Sequence, residues 1–208
     1  MKDFIITKYS SRPQVILSEM FLAAGPSAAR FCQWAGALGE RASVLTDNLP
    51  GGVALFHLEA RSLLAGESGG AGAALRQVLD SARGLGSLIS LDLGPREWIV
   101  THGGPRTAYQ LAALRPDVLF ACLESATEVG APLEGMASVP VLTMGAQGCS
   151  VYGRRVVAPR GIEPDAVGFM ATFCVALVEG AAPVEAAGRA VLAAAGGLVN
   201  AGSEVAAG

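Results

Sequence analysis

Val141-Leu-Thr-Met-Gly-Ala-Gln-Gly148 runs an apolar strand straight into a GxxG loop, with Thr143 at the strand end and Ala146 between the glycines. Gly145 and Gly148 allow the backbone to approach an anion closely and to turn its N–H groups inward, the geometry that cradles phosphate. Downstream, Pro164-Asp-Ala-Val-Gly168 turns into an apolar helix predicted over residues 168–178. The first-turn N–H groups of that helix, beginning at Gly168, and its positive dipole end offer a second seat for an anion. A strand, an anion loop and a helix N-terminus in this order point to an α/β protein that holds its ligand at the carboxyl ends of its strands.

The same rhythm extends outward from this stretch. Residues 73–83 place Leu75, Val78, Leu79 and Ala82 on one helical face, and 87–91 form a short apolar strand ending at Asp92. Helices are predicted at 107–114 and 125–129, the latter opened by Ser125, with strands at 118–121 and 139–144. Residues 151–157 read as an edge hairpin arm and 184–199 as a closing helix. Nearer the start, 28–38 read as a helix stopped by Gly39 and 42–46 as the strand after it. Strands separated by helices predict a three-layer α/β/α sandwich around a mostly parallel sheet. The opening residues break the pattern: Phe4-Ile-Ile-Thr and Gln14-Val-Ile-Leu, separated by Ser10-Ser-Arg-Pro, predict a small antiparallel lid over 1–25, with 26–208 as the core of a single domain. A two-stranded piece is marginal alone and presents edges that need covering, so a homodimer through these strands is expected.

Composition narrows the function. The chain has 208 residues, 51% hydrophobic and 16% charged, enough to bury roughly 70% of its unfolded surface without staples. Cys32, Cys122, Cys149 and Cys174 are scattered, form no CxxC pair and follow no secretory signal, which predicts reduced thiols and a cytoplasmic location. His57 and His102 are too few for zinc. A pI near 5.4 and the lack of a basic stripe argue against nucleic acid or an anionic membrane as partner, and the apolar run 167–178 is too short to span a bilayer.

Taken in order and spacing, these segments resemble the PfkB (ribokinase-like) carbohydrate kinases across most of the chain. Gly25 to Gly39 resembles that family's sugar-side glycine pair, helix and LG turn; Asp92 to Trp98 its D-P-x-x-R…W strand end; 117–126 the strand carrying N-x-x-E; Thr143 to Gly148 its T-x-G-x-x-G nucleotide loop; and 186–202 its closing helix. The resemblance implies binding of ATP and Mg2+ at one end, with a sugar or similar alcohol under a β-lid. It places Thr143, Gly145, Ala146, Gly148 and Gly168 against the nucleotide, and Gly25, Arg30 and Asp92 against the substrate.

The departures from that pattern are specific. Where the family carries G-A-G-D, with the aspartate as proton acceptor, this chain has Pro164-Asp165-Ala166-Val167. Valine accepts no proton, general-base assistance is worth roughly 10²–10⁴-fold, and proline removes an N–H from the anion hole. Asp165 is the surrogate base if the turn is rebuilt, and otherwise a helix cap. In place of N-x-x-E stand Cys122, Leu123, Glu124 and Ser125, leaving Glu124 as the candidate metal ligand. Arg30 replaces an asparagine, a change that suits a carboxylate or phosphate ligand or a plain surface position, and Pro26 replaces the second glycine. The first core strand of the family and much of the segment between residues 46 and 53 look missing. The expectation is therefore a protein of this fold that binds a nucleotide or small phosphorylated metabolite with weak or no phosphotransferase activity. An active kinase with a rebuilt site and a structural protein with filled pockets are the alternatives. His57 reads as a core or ligand-facing histidine, His102 as a loop residue and Arg154-Arg155 as a solvated turn; Gly84-Leu-Gly86 lacks the third glycine and the position of a dinucleotide fingerprint.

Overall fold

The computed structural model describes residues 20–24, 27–39, 41–44, 53–64, 70–159 and 163–196. Within these residues eight strands form one sheet: β1 (Met20–Ala24), β2 (Arg41–Val44), β3 (Val53–Glu59), β4 (Leu88–Asp92), β5 (Val118–Cys122), β6 (Val139–Thr143), β7 (Cys149–Val151) and β8 (Arg154–Val156). They lie in the order β2-β1-β3-β4-β5-β6-β7-β8. All neighbours from β2 to β6 pair in parallel, and β7 and β8 close the far edge as an antiparallel hairpin. Among the described residues eight α-helices complete it: α1 (Ala28–Ala37), α2 (Ala60–Leu64), α3 (Gly70–Gly84), α4 (Arg96–His102), α5 (Gly104–Leu114), α6 (Leu123–Val129), α7 (Ala166–Val178) and α8 (Pro183–Gly196).

The central strands alternate between two cores, which is why they read as unbroken apolar runs. Leu88, Val118, Phe120, Val139 and Val141 face α1, α7 and α8, where Phe31, Trp34, Phe169 and Phe173 fill the layer. Ile89, Leu91, Leu119 and Ala121 face α2 to α6, packing on Leu63, Leu79, Ile99 and Leu111. Phe120 meets the rings of both Phe169 and Phe173 edge-on, at 6.0 and 5.3 Å, a pairing worth about 1 kcal/mol per contact beyond the area it buries. Every residue from Gly168 to Leu177 is buried, so α7 is a core helix sealed on all sides. Its approach to α1 is close: a Cβ at Gly168 would lie 2.4 Å from the Trp34 ring. The sandwich expected from the sequence is the fold observed.

Several sequence expectations need correction. Met20–Ala24 belongs to the core sheet, hydrogen-bonded between β2 and β3, so the appendage does not extend to residue 25 and a core strand does precede α1. The run Met20-Phe-Leu-Ala-Ala24 lacks the alternation of a lid strand, as a strand covered on both faces should. Phe4-Ile-Ile-Thr, Gln14-Val-Ile-Leu and the homodimer built on them lie outside the described residues, as does Gly25. The short helices α2 and α4 were not anticipated; α4, with Trp98, Ile99 and Val100, has β-branched residues that mask its period. Helix α6 is capped by the Cys122 thiol, which accepts the Ser125 N–H at 3.4 Å, while Ser125 Oγ donates to Gly94 O at 2.7 Å. Arg154 and Arg155 lie in β8, not in a turn. The four cysteines are free thiols, and among the described residues no helix is long and apolar enough to cross a membrane.

Candidate functional site

Because β3 to β6 run parallel, their last residues meet at one end of the sheet. β3 delivers Glu59, whose register partner on β4 is Asp92; β5 delivers Cys122, opposite Thr143 of β6. Ligands of open α/β sheets collect outside the carboxyl ends of the strands, and two adjoining clefts open there, across the ends of β3 to β6. The smaller, of about 320 Å³, is walled by Glu59, Arg61, Asp92, Gly94, Cys122, Thr143, Ala166 and Met170. The larger, of about 510 Å³, is walled by Cys122, Glu124, Thr143, the loop from Gly145 to Gly148, Glu163, Pro164 and Ala166. Cys122, Thr143 and Ala166 line both, so they form one groove in two halves beneath the start of α7.

Among the described residues, the smaller half is a carboxylate pair with one cation, Arg61. Glu59 is buried, with 4% of its surface exposed; it accepts the Ser27 N–H at 2.7 Å and the Arg61 Nε–H at 2.7 Å. Burial pushes its carboxyl up, but the hydrogen bonds from Ser27 and Arg61 outweigh it and hold Glu59 below the usual carboxylate range. Asp92 has less support. Burial, helped by the neighbouring charge of Glu59, raises it from an ordinary 3.8 to about 6, against the Gly94 amide and Arg61, which pull it down. Asp92 therefore changes charge close to neutrality, where a group both accepts hydrogen bonds and exchanges protons readily. Neither Glu59 nor Arg61 was singled out from the sequence. The available signal was a charged residue ending the buried strand of residues 53–59, two positions beyond His57. His57 itself points into the core: it is fully buried, stacks on Phe31 at 4.1 Å and meets Ser90 Oγ at 3.0 Å. His102 ends α4, stacked on Trp98 at 4.8 Å.

The larger half contains the expected nucleotide residues Thr143, Gly145, Ala146 and Gly148, together with Glu124. The loop closes most of its own amides: Gln147 N–H reaches Met144 O at 3.0 Å, Gly148 N–H reaches Gly145 O at 3.0 Å, and Met144 N–H reaches Gly148 O at 2.8 Å. The N–H groups of Gly145 and Ala146 take no acceptor among the described residues and are the ones able to meet an anion. Gly148 is demanded by its own hairpin, since a Cβ there would stand 2.0 Å from Val156 O. Gly168 contributes no amide: its N–H is taken by Asp165 Oδ1 at 2.7 Å.

Asp165 is a cap. One carboxylate oxygen holds the Gly168 N–H, the other pairs with the Arg30 guanidinium, and the residue lines neither cleft. Asp165 thus takes the helix-cap alternative read from the sequence, and the residue named as surrogate base and Arg30, named for the substrate, pair with each other. Val167 packs against the core. The expected result for Asp165→Ala is a stability loss of about 1–2 kcal/mol, most of it from the cap and little from the exposed ion pair. In a thermal melt this lowers the midpoint by about 3–6 °C; an unchanged midpoint contradicts the capping role.

The sheet order, the three layers and the groove beneath α7 define a ribokinase-like carbohydrate-kinase fold of the PfkB type. No model of a known protein family matches the sequence, and no curated protein sequence matches it. Solved structures do. The fold is similar to adenosine kinase from Sinorhizobium meliloti, with TM-score 0.58 and 16% identity over 68% of this chain and 48% of that one. It is also similar to 2-dehydro-3-deoxygluconokinase from Thermotoga maritima, with TM-score 0.53 and 16% identity over 69% of this chain and 54% of that one. A PfkB protein from Polaromonas matches over 93% of this chain and 82% of its own, with TM-score 0.51 and 16% identity. The chain thus spans about half the length of the first two.

Proposed function

We propose that this protein uses the kinase fold to bind a nucleotide or small phosphorylated metabolite at the groove, with weak or no transfer of a phosphoryl group. One observation carries the reading: at the start of α7, where the groove's halves meet, Ala166, Val167 and Gly168 offer no proton acceptor, and Asp165 is held in its cap by Arg30 and the Gly168 amide. The larger cleft fits a nucleotide in kind, with the Gly145 and Ala146 amides and the first turn of α7 toward the phosphates. Its hard-oxygen ligands for Mg2+ are Glu124 and Glu163, with coordination completed by phosphate and water. A bound Mg2+ supplies charge neutralisation across the phosphates. Among the described residues there is no cluster of three or more groups able to hold a metal without a ligand.

Calorimetric titration with ATP, ADP and sugar phosphates is expected to show binding, and coupled release of ADP over a panel of sugars and nucleosides is expected to show at least a hundredfold deficit against an ordinary kinase of this fold. Turnover in the normal range, or no binding of any of these compounds, contradicts the proposal. A second reading, an active kinase with a rebuilt site, is favoured by Asp92, the one carboxylate in the groove raised to about 6. On that reading Asp92→Asn abolishes turnover while Asp165→Asn spares it.

A further inference from the structure

Among the described residues, the walls of the larger cleft carry two carboxylates, Glu124 and Glu163, and no lysine or arginine, although Arg155 outside the walls donates to Gln147 Oε1 at 3.2 Å. This is an unexpected lining for a loop shaped to meet phosphate, whose affinity ordinarily grows with the cations around it. Of the two acids, Glu163 is at the loop itself. Its Oε1 lies 3.1 Å from the point a Cβ at Gly145 would occupy, so the carboxylate sits beside the bare turn of the loop. Gly145 is one of the two residues whose amide remains open in the loop. Glu163 is exposed, and among the described residues no hydrogen bond or ion pair engages it. Its charge therefore acts on whatever enters the cleft.

We propose that Glu163 is a charge filter on the larger cleft: it disfavours free phosphate groups at the loop from Gly145 to Gly148 and so selects a nucleotide whose phosphates a divalent cation already neutralises. The inference rests on the reading that this cleft takes a nucleotide, and it adds the residue that sets which ionic form is accepted. A unit negative charge within a few ångströms of a phosphate, at a surface where water still screens, changes affinity by about tenfold. With metal bound, the same carboxylate becomes a favourable neighbour and the penalty disappears.

Equilibrium binding of three probes to the full chain and to Glu163→Gln tests this: ADP in chelator, ADP with excess Mg2+, and adenosine. Glu163→Gln is expected to bind metal-free ADP about tenfold more tightly than the native protein, the gain shrinking at high salt as an exposed charge effect must. With Mg2+ the advantage is expected to vanish or reverse, and adenosine, which carries no phosphate, is expected to bind the two proteins within about twofold. Equal binding of metal-free ADP to both overturns the filter and leaves the nucleotide reading standing. A gain for adenosine as large as that for ADP also overturns it, since the effect would then be steric. If neither protein binds ADP with or without Mg2+, the nucleotide reading falls and the filter falls with it. A matching thermal midpoint for the two proteins shows that the comparison is made between equally folded chains.

Discussion

Gly148→Ala is expected to destabilise the fold by about 3–5 kcal/mol. Two costs combine. Gly148 has φ +92° and ψ −131°, a region in which a side chain costs on the order of 1–3 kcal/mol. The added Cβ would also stand 2.0 Å from Val156 O and 2.7 Å from Ala158 N, both backbone atoms, so relief requires moving the β7–β8 hairpin away from the loop, an overpacking cost of typically 1–3 kcal/mol. Gly153→Ala separates the two: Gly153 has φ +73° with nothing within 4 Å of its added Cβ, and is expected to cost only about 1–2 kcal/mol. Urea unfolding of both variants decides the matter, and equal losses would show that the hairpin contact is not what requires a glycine at 148.

Asp92→Asn is expected to stabilise the protein at pH 7.5, by on the order of 2 kcal/mol, while weakening any ligand held by the smaller cleft. The sign follows from proton binding. Folded Asp92 holds its proton up to about pH 6, whereas the unfolded chain releases it near 3.8. As pH rises through that window the unfolded state gains relative to the folded one, and above pH 6 the full penalty is present. Below about pH 3.8 both states are protonated and the variant's advantage disappears. His57 acts in the opposite sense: burial lowers it from 6.5 to about 3, so its contribution is lost as pH falls through that range. The native pH profile mixes the two, and the difference between the native protein and Asp92→Asn isolates the carboxylate. A variant no more stable at pH 7.5 than the native protein would mean that Asp92 sits comfortably charged among Glu59, Arg61 and the Gly94 amide.

Local pattern made much of this molecule readable. The strand into Gly145, the buried helix α7 and the hairpin after Gly148 each announce themselves within a dozen residues, through apolar runs ended by glycine. The spacing of those segments was enough to reach the fold. What stayed hidden was set by contacts across the chain. Glu59 and Asp92 become a pair only because β3 and β4 lie side by side in parallel. Arg30 and Asp165, 135 residues apart, look like two site residues until the packing of α1 against α7 joins them to each other. Glu163 comes beside the loop from the segment just ahead of α7, a placement that no periodicity encodes. Gly168 carries the same lesson in reverse: read as a ligand-facing glycine, it is bare because Trp34 occupies the space a methyl group would need.

The sharing of one sheet face by α1, α7 and α8 also bears on how the chain is made. α1 leaves the ribosome early, yet the helices that seal Phe31 and Trp34 are encoded more than a hundred residues later. At ordinary rates of synthesis that interval lasts on the order of ten seconds, during which a greasy flank of the nascent sheet stands open to other chains. Until α7 and α8 arrive that flank invites the help of a chaperone, and a chain stopped ahead of α7 is expected to aggregate rather than fold as a smaller protein.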